Sequence, residues 1–266
     1  MKPIRLPALL LCIILTFSLT SCSQDKSLSF SKAVDLFADG DYAAAAEKFD
    51  KLGDYATAPT YAAYSHGLVL YEQGQYSAAE PYFASTREFM YGEERYQYCH
   101  AHGLMEAEQF AEASAAFAAM GEFEDAPMQA QYCAARAAEN AKDYENALFG
   151  YEASLGFHDA EDRLYNLQGQ IYNRAIALKA QGSYESAIAL FNMLGDYLSS
   201  AAQAVECKEI WLDEQYTQAD ALEASGNLQA AFDLFYGLSS YRDAASRAHA
   251  LADRLGIQIK TYDQPY

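Results

Sequence analysis

Small and aromatic residues recur along this chain at fixed offsets. Take Tyr42, Tyr76, Phe110, Tyr144, Tyr184 and Leu228 as references, spaced 34, 34, 34, 40 and 44 residues apart. Three residues after each comes alanine: Ala45, Ala79, Ala113, Ala147, Ala187 and Ala231. Seven after comes an aromatic ring: Phe49, Phe83, Phe117, Tyr151, Phe191 and Phe235. Offsets 0, +3 and +7 share one face of a helix. Upstream, offset −12 carries Phe30, Tyr64, Tyr98, Tyr132, Tyr172 and Tyr216, offset −9 is always small, and offset −6 is leucine in five of six copies. This predicts a first helix whose small residue lets its partner approach closely. Gly40, Gly74, Gly182 and Gly226 mark a turn between the two helices and suit a helix C-cap, with Glu108 and Lys142 in the other two copies. A second ring of aromatics follows at +13 and a small residue at +16. The pattern predicts six helix-turn-helix units. The last two carry 6 and 10 extra residues, read as longer first helices because Leu167 to Ala180 and Glu206 to Ala224 lack proline and turn clusters.

The 34-residue period, the Gly-x-Tyr turn, and the alanine and aromatic of the second helix resemble the tetratricopeptide repeat family over about residues 28–252. The chain departs from that family where its first helix usually carries tryptophan and leucine. The expected fold is all-α, an α-solenoid of six tetratricopeptide-like units over residues 30–252, with a cap or tail over 253–266. Such arrays add unit stabilities to neighbour interfaces, and the resemblance implies a concave groove lined by first helices.

The N-terminus reads as an address. Lys2 and Arg5 precede a 12-residue uncharged run, Ala8 to Leu19, too short to span a bilayer and suited to an export signal. It ends in Leu19-Thr20-Ser21-Cys22, which resembles the lipobox of bacterial lipoproteins. That resemblance implies a signal peptide over 1–21, cleaved to leave Cys22 lipidated as the first mature residue. A short tether over 22–29 would follow. The expected location is a bacterial cell membrane or outer membrane, lipid-anchored and extracytoplasmic.

The full chain has 266 residues and a formal charge of −19. Removing residues 1–21 takes away two basic residues and no acidic one, making it −21. Such acidity argues against a nucleic-acid partner, which needs a basic footprint, and against lying flat on anionic lipid.

No catalytic motif stands out: there is no Gly-x-x-x-x-Gly-Lys, Gly-x-Ser-x-Gly or His-Glu-x-x-His. Cys99-His100-Ala101-His102 has the residue types of a zinc site. Adjacent helix positions point in different directions, however, and Cys99, Cys133 and Cys207 occupy equivalent places in separate units. They read as small buried thiols, and no metal or cofactor is expected. The tyrosine stripe at offset −12 is either packing between first helices or, in part, a contact surface. Offsets −8 and −5 are expected to face the groove more openly. There Leu68, Tyr71, His102 and Met105 give an apolar wall in the early units, and Arg136, Glu139 and Lys179 a charged one in the later units.

The function expected is a non-enzymatic, membrane-anchored scaffold holding a protein or peptide partner in the groove, in envelope assembly or secretion. The alternative is an envelope carbohydrate-binding lipoprotein whose tyrosines stack on sugar rings.

Overall fold

The computed structural model describes residues 25–238 and 240–259, which form thirteen helices and no strand. The segment expected to be a signal peptide and the expected lipidation site Cys22 lie outside the described residues. The helices are α1 (25–38), α2 (Tyr42–Leu52), α3 (Ala58–Glu72), α4 (Tyr76–Ser85), α5 (Gly92–Glu106), α6 (Phe110–Ala119), α7 (Ala126–Ala141), α8 (Tyr144–Ala153), α9 (Ala160–Ala180), α10 (Tyr184–Leu194), α11 (Ser200–Ala224), α12 (Leu228–Gly237) and α13 (Ala244–Leu255). Every one of the six reference residues is the first residue of a second helix. The architecture is an all-α helical-repeat solenoid of six hairpins followed by α13, which begins at the same offset (+16) as the first helices α3, α5, α7, α9 and α11.

The extra residues lengthen first helices, as expected: α9 has 21 residues and α11 has 25, against 15 in α3 and α5. Residues 25–29, the described part of the tether expected over 22–29, are helical and belong to α1. The chain divides into an N-terminal block ending at Ala160 and a C-terminal block beginning at Glu161.

In both blocks the core is built from the recurrent offsets. The +3 alanines and the +7 rings have no solvent exposure in any of the six copies, and the −9 residues are buried throughout. Within each block, burying these rings and small residues between packed helices is the main stabilising term. In the N-terminal block, Ala33, Ala45, Phe49, Ala58 and Ala62 join α1, α2 and α3. In the C-terminal block, Ala175, Phe191 and Cys207 join α9, α10 and α11, and Phe235, Ala248 and Leu251 seat α13.

The turns hold two regular left-handed positions. Gly40, Gly74, Gly182 and Gly226 take φ between 70° and 84°, as a C-cap requires, and Glu108 and Lys142 adopt φ of 59° and 60° at the same place. The turn between hairpins holds a second such residue at offset +14. Ala56, Met90, Glu124, His158, Leu198 and Arg242 all lie at φ 47° to 50°, and none is glycine.

Candidate functional site: the tyrosine clasp and the Arg95 cluster

The tyrosine stripe is structural. In four first helices the hydroxyl reaches the residue 27 positions on, immediately before the next first helix. Tyr98 donates to Asp125, Tyr132 to Asp159 and Tyr216 to Asp243, while Tyr172 and Ser199 share a 2.8 Å bond. Asp125 and Asp243 are N-cap residues whose side chains do not cap their own helices. The positive end of the helix dipole favours a carboxylate there, and the tyrosine supplies the hydrogen bond. Each clasp ties a tyrosine-bearing helix to the turn 27 residues on. Tyr64, Tyr98, Tyr132 and Tyr216 are correspondingly buried. In the first unit the stripe residue is Phe30, which has no hydroxyl and packs against Phe49, Tyr55 and Tyr61.

One unit breaks this pattern. Where the others have Thr57, Asp125, Asp159, Ser199 and Asp243, the turn before α5 has Tyr91. Tyr64 therefore has no side-chain acceptor. Its oxygen instead accepts from the Tyr91 backbone N–H at 3.3 Å and from Arg95 Nη1 at 2.9 Å. The Arg95 guanidinium sits among the rings of Tyr64, Tyr71 and Tyr91, with each centroid 5.7–5.8 Å away. Released from the clasp, the Tyr91 side chain is 62% exposed, and beside it Met90 is 52% exposed. Met90 also holds the left-handed backbone position, which disfavours any side chain. An exposed apolar pair in this turn, beside a cation, has no counterpart in the turns holding Asp125, Asp159 and Asp243.

Beneath this surface lies an aromatic network. Tyr71 packs on Tyr76 and Tyr98, and His102 stacks on Tyr76 at 4.0 Å with Tyr98 and Phe117 around it. Burial pushes the Tyr71 and Tyr98 hydroxyls well above the usual phenol range, and the carboxylates of Glu124 and Asp125 push the same way. Tyr71 Oη lies beside Glu124 without a well-directed hydrogen bond. Burial lowers His102 to about 4, keeping its imidazole neutral, and its Nε2 has no hydrogen-bond partner among the described residues.

The residues expected to line a groove are placed as follows. Leu68, Tyr71 and His102 do not face it openly; they are buried, with Tyr71 packed on Tyr76, Phe83 and Tyr98, and His102 on Tyr76, Tyr98 and Phe117. Met105, Arg136, Glu139 and Lys179 are half-buried. The charged ones are engaged within the fold. Arg136 lies 4.0 Å over the Phe110 ring and donates to Tyr132 Oη at 3.0 Å, and Glu139 accepts from Tyr151. In the C-terminal block, Lys179 donates to Gln203 at 2.8 Å and pairs with Glu206 at 2.7 Å. The structure thus brings Tyr71 and His102 into one network and leaves Lys179 in the other block.

The zinc-like tetrad is split by the helix. Cys99 is buried, His100 faces outward to Glu80 at 3.1 Å, and His102 enters the aromatic core. Among the described residues no three His, Cys, Asp or Glu side chains converge as a metal site, and no helix is long and apolar enough to cross a membrane. Cys99, Cys133 and Cys207 are free and buried, and burial raises the Cys99 thiol to about 12 and that of Cys133 to about 11.

Met90 and Tyr91 carry no motif and were not singled out by the sequence analysis. The signal available was the hydroxyl or carboxyl residue at offset +15 in five copies, which Tyr91 replaces. Compared with family models, with curated proteins and with solved structures, the chain matches none.

Proposed function

We propose that the protein is a membrane-anchored extracytoplasmic scaffold. It is lipidated at Cys22 and holds a protein or peptide partner against its tetratricopeptide-like helical array. The observation that carries this reading is the Arg95 cluster. Met90 and Tyr91 expose a large apolar area on a turn whose backbone is fixed by the Tyr64 hydrogen bond. A rigid aromatic beside an arginine is the composition of protein-binding hot spots, since it offers area at low entropic cost. Glu124, exposed in the next turn, adds negative charge suited to a peptide with a basic residue next to an apolar one. The carboxylates of Asp125, Asp159 and Asp243 are bonded within the clasps, which favours binding without bond chemistry.

The carbohydrate reading drew on the tyrosine stripe, and those rings are largely buried and engaged with their neighbours. It therefore gains no support from them. Replacing Met90 and Tyr91 together by serine tests the proposal. Both side chains are exposed, so the helical circular dichroism signal should stay unchanged while partner capture from envelope extracts falls at least tenfold. Undiminished capture would remove the Arg95 cluster from the account. Leu68 and Tyr71 are unsuited to this test, because their substitution would damage the core.

A further inference from the structure

We infer that the first hairpin carries a lysine furrow that seats this end of the protein on the anionic headgroups of the membrane holding its anchor. The inference rests on the proposed anchoring at Cys22. Lys26 and Lys32 on α1 and Lys48 and Lys51 on α2 converge on one open furrow of about 350 Å³ between the two helices. All four are exposed. They are four of the nine lysines in a chain whose net charge is −19.

The repeat itself shows that these lysines are not needed to build a hairpin. The furrow positions are offsets −16, −10, +6 and +9. In the other five units the corresponding twenty positions contain no lysine, and Arg174 is the only arginine. The same furrow in the third unit, about 500 Å³, is lined by Glu93 and Glu94. Equivalent positions of the repeat therefore carry opposite charge two hairpins apart.

Nor do intramolecular partners account for them. Lys26, Lys32 and Lys48 make no ion pair with a described residue. Lys51 makes only an i, i+4 contact of 3.7 Å with Glu47, both fully solvated in character at 76% exposure. Arg87, Lys179, Arg242, Arg247 and Arg254, by contrast, are all paired with carboxylates. Asp25, the one carboxylate lining the furrow among the described residues, and Glu47, which contacts Lys51, leave the four lysines in excess there.

Position identifies the polyanion. The described part of α1 begins three residues after Cys22, a distance of at most roughly 10 Å along an extended chain. Acyl chains inserted at Cys22 would hold the furrow within about one Debye length of the headgroups, where a lysine gains roughly fivefold in affinity for an anionic surface. The acidic remainder of the protein is repelled from the same surface. The furrow would then orient the array outward instead of letting it lie along the bilayer. The hairpin as a whole is still acidic, with Asp25, Asp35, Asp39, Asp41, Glu47 and Asp50 against the four lysines, so it is the local cluster in the furrow, and not the net charge of the hairpin, that would meet the headgroups.

The test uses the purified full-length lipoprotein in vesicles of phosphatidylcholine, with or without about a third phosphatidylglycerol. A brief pulse of an amine-reactive ester is read at each lysine by peptide mass spectrometry. Lys26, Lys32, Lys48 and Lys51 should label about fivefold more slowly on the anionic vesicles, and high salt should abolish the protection. Lys142 and Lys208 should label equally on both. Equal labelling of the four lysines on both vesicles overturns the inference. So does protection that occurs in whole cells but not on anionic vesicles, which would assign the furrow to a protein or polymer. The mass of the Cys22 peptide reads the anchor separately. If Cys22 is unacylated, the anchoring proposal fails alone. Flotation of that unanchored chain with anionic but not neutral vesicles, lost on changing all four lysines to glutamine, would still support the furrow, and its failure to float with either would overturn it.

Discussion

Changing His102 to leucine should remove a penalty that the fold incurs in mild acid. His102 lies against Tyr76 of α4, Tyr98 of α5 and Phe117 of α6, and is 5% exposed. Burial is the largest influence on it and lowers it from 6.5 to about 4; Asp125 and Glu106 oppose that shift and His158 reinforces it. The sign follows from proton counting. Between pH 6.5 and 4 the unfolded chain binds a proton here and the folded chain does not, so stability is full above 6.5 and falls as pH drops towards 4. Each pKa unit is worth about 1.4 kcal/mol, so the contribution lost between pH 7 and pH 5 is about 2 kcal/mol. Urea unfolding followed by circular dichroism, at pH 7 and pH 5 for wild type and His102→Leu, isolates this group. Other titrating residues are common to both proteins, and only the difference between them is attributed to His102. The difference should change by about 2 kcal/mol in favour of the variant at pH 5. A constant difference, or an imidazole resonance assigned to His102 titrating near 6.5, would refute the argument.

Removing the hydroxyl in Tyr98→Phe leaves the Asp125 carboxylate without its tyrosine donor and should cost about 1.5–3 kcal/mol in urea unfolding; Tyr172→Phe, whose partner is the neutral Ser199, should cost about 1 kcal/mol. Equal losses would show that the carboxylate adds nothing to the clasp. Glu108→Gly and Lys142→Gly should each stabilise by about 0.5–1 kcal/mol, as relief of the left-handed strain exceeds the added flexibility of the unfolded chain, and thermal melts will show it. Gly92→Ala should destabilise by about 1–3 kcal/mol, because the added Cβ would stand 2.0 Å from the Thr86 carbonyl oxygen; an unchanged melting temperature would contradict this. Maleimide should leave Cys99 unmodified in the native protein and react once urea unfolds it.

The hairpins were legible because their signal is repeated. A single alanine or phenylalanine says little, but Ala45 and Phe49 recurring at the same offsets through Ala231 and Phe235 specify which face each helix buries. The longer α9 and α11 followed from the same register. The open question of the stripe was settled by a contact that periodicity within one unit does not display, namely the bond from Tyr98 across 27 residues to Asp125. It was written in the sequence as a tyrosine followed by an aspartate or serine at a fixed distance, but its meaning needed the turn geometry. Offsets −8 and −5 lie off the repeated small and aromatic face of each first helix, which is all that the periodicity reports of them. Tyr71 is surrounded by Tyr76 and Phe83 of its own hairpin and by Arg95 and Tyr98 of the next, and helix periodicity does not report what a neighbour covers. Met90 and Tyr91 escaped notice for the opposite reason, since they matter by departing from the pattern.

The scaffold reading is tested most directly by photocrosslinking in cells that produce the anchored protein. The probe replaces Tyr91, with a control probe at the exposed Glu112 of α6. The account predicts a discrete protein adduct from position 91 that is absent from position 112 and is lost when Met90 is also changed to serine. Correctly anchored protein that yields no protein adduct from position 91, or the same adducts from both positions, would contradict it.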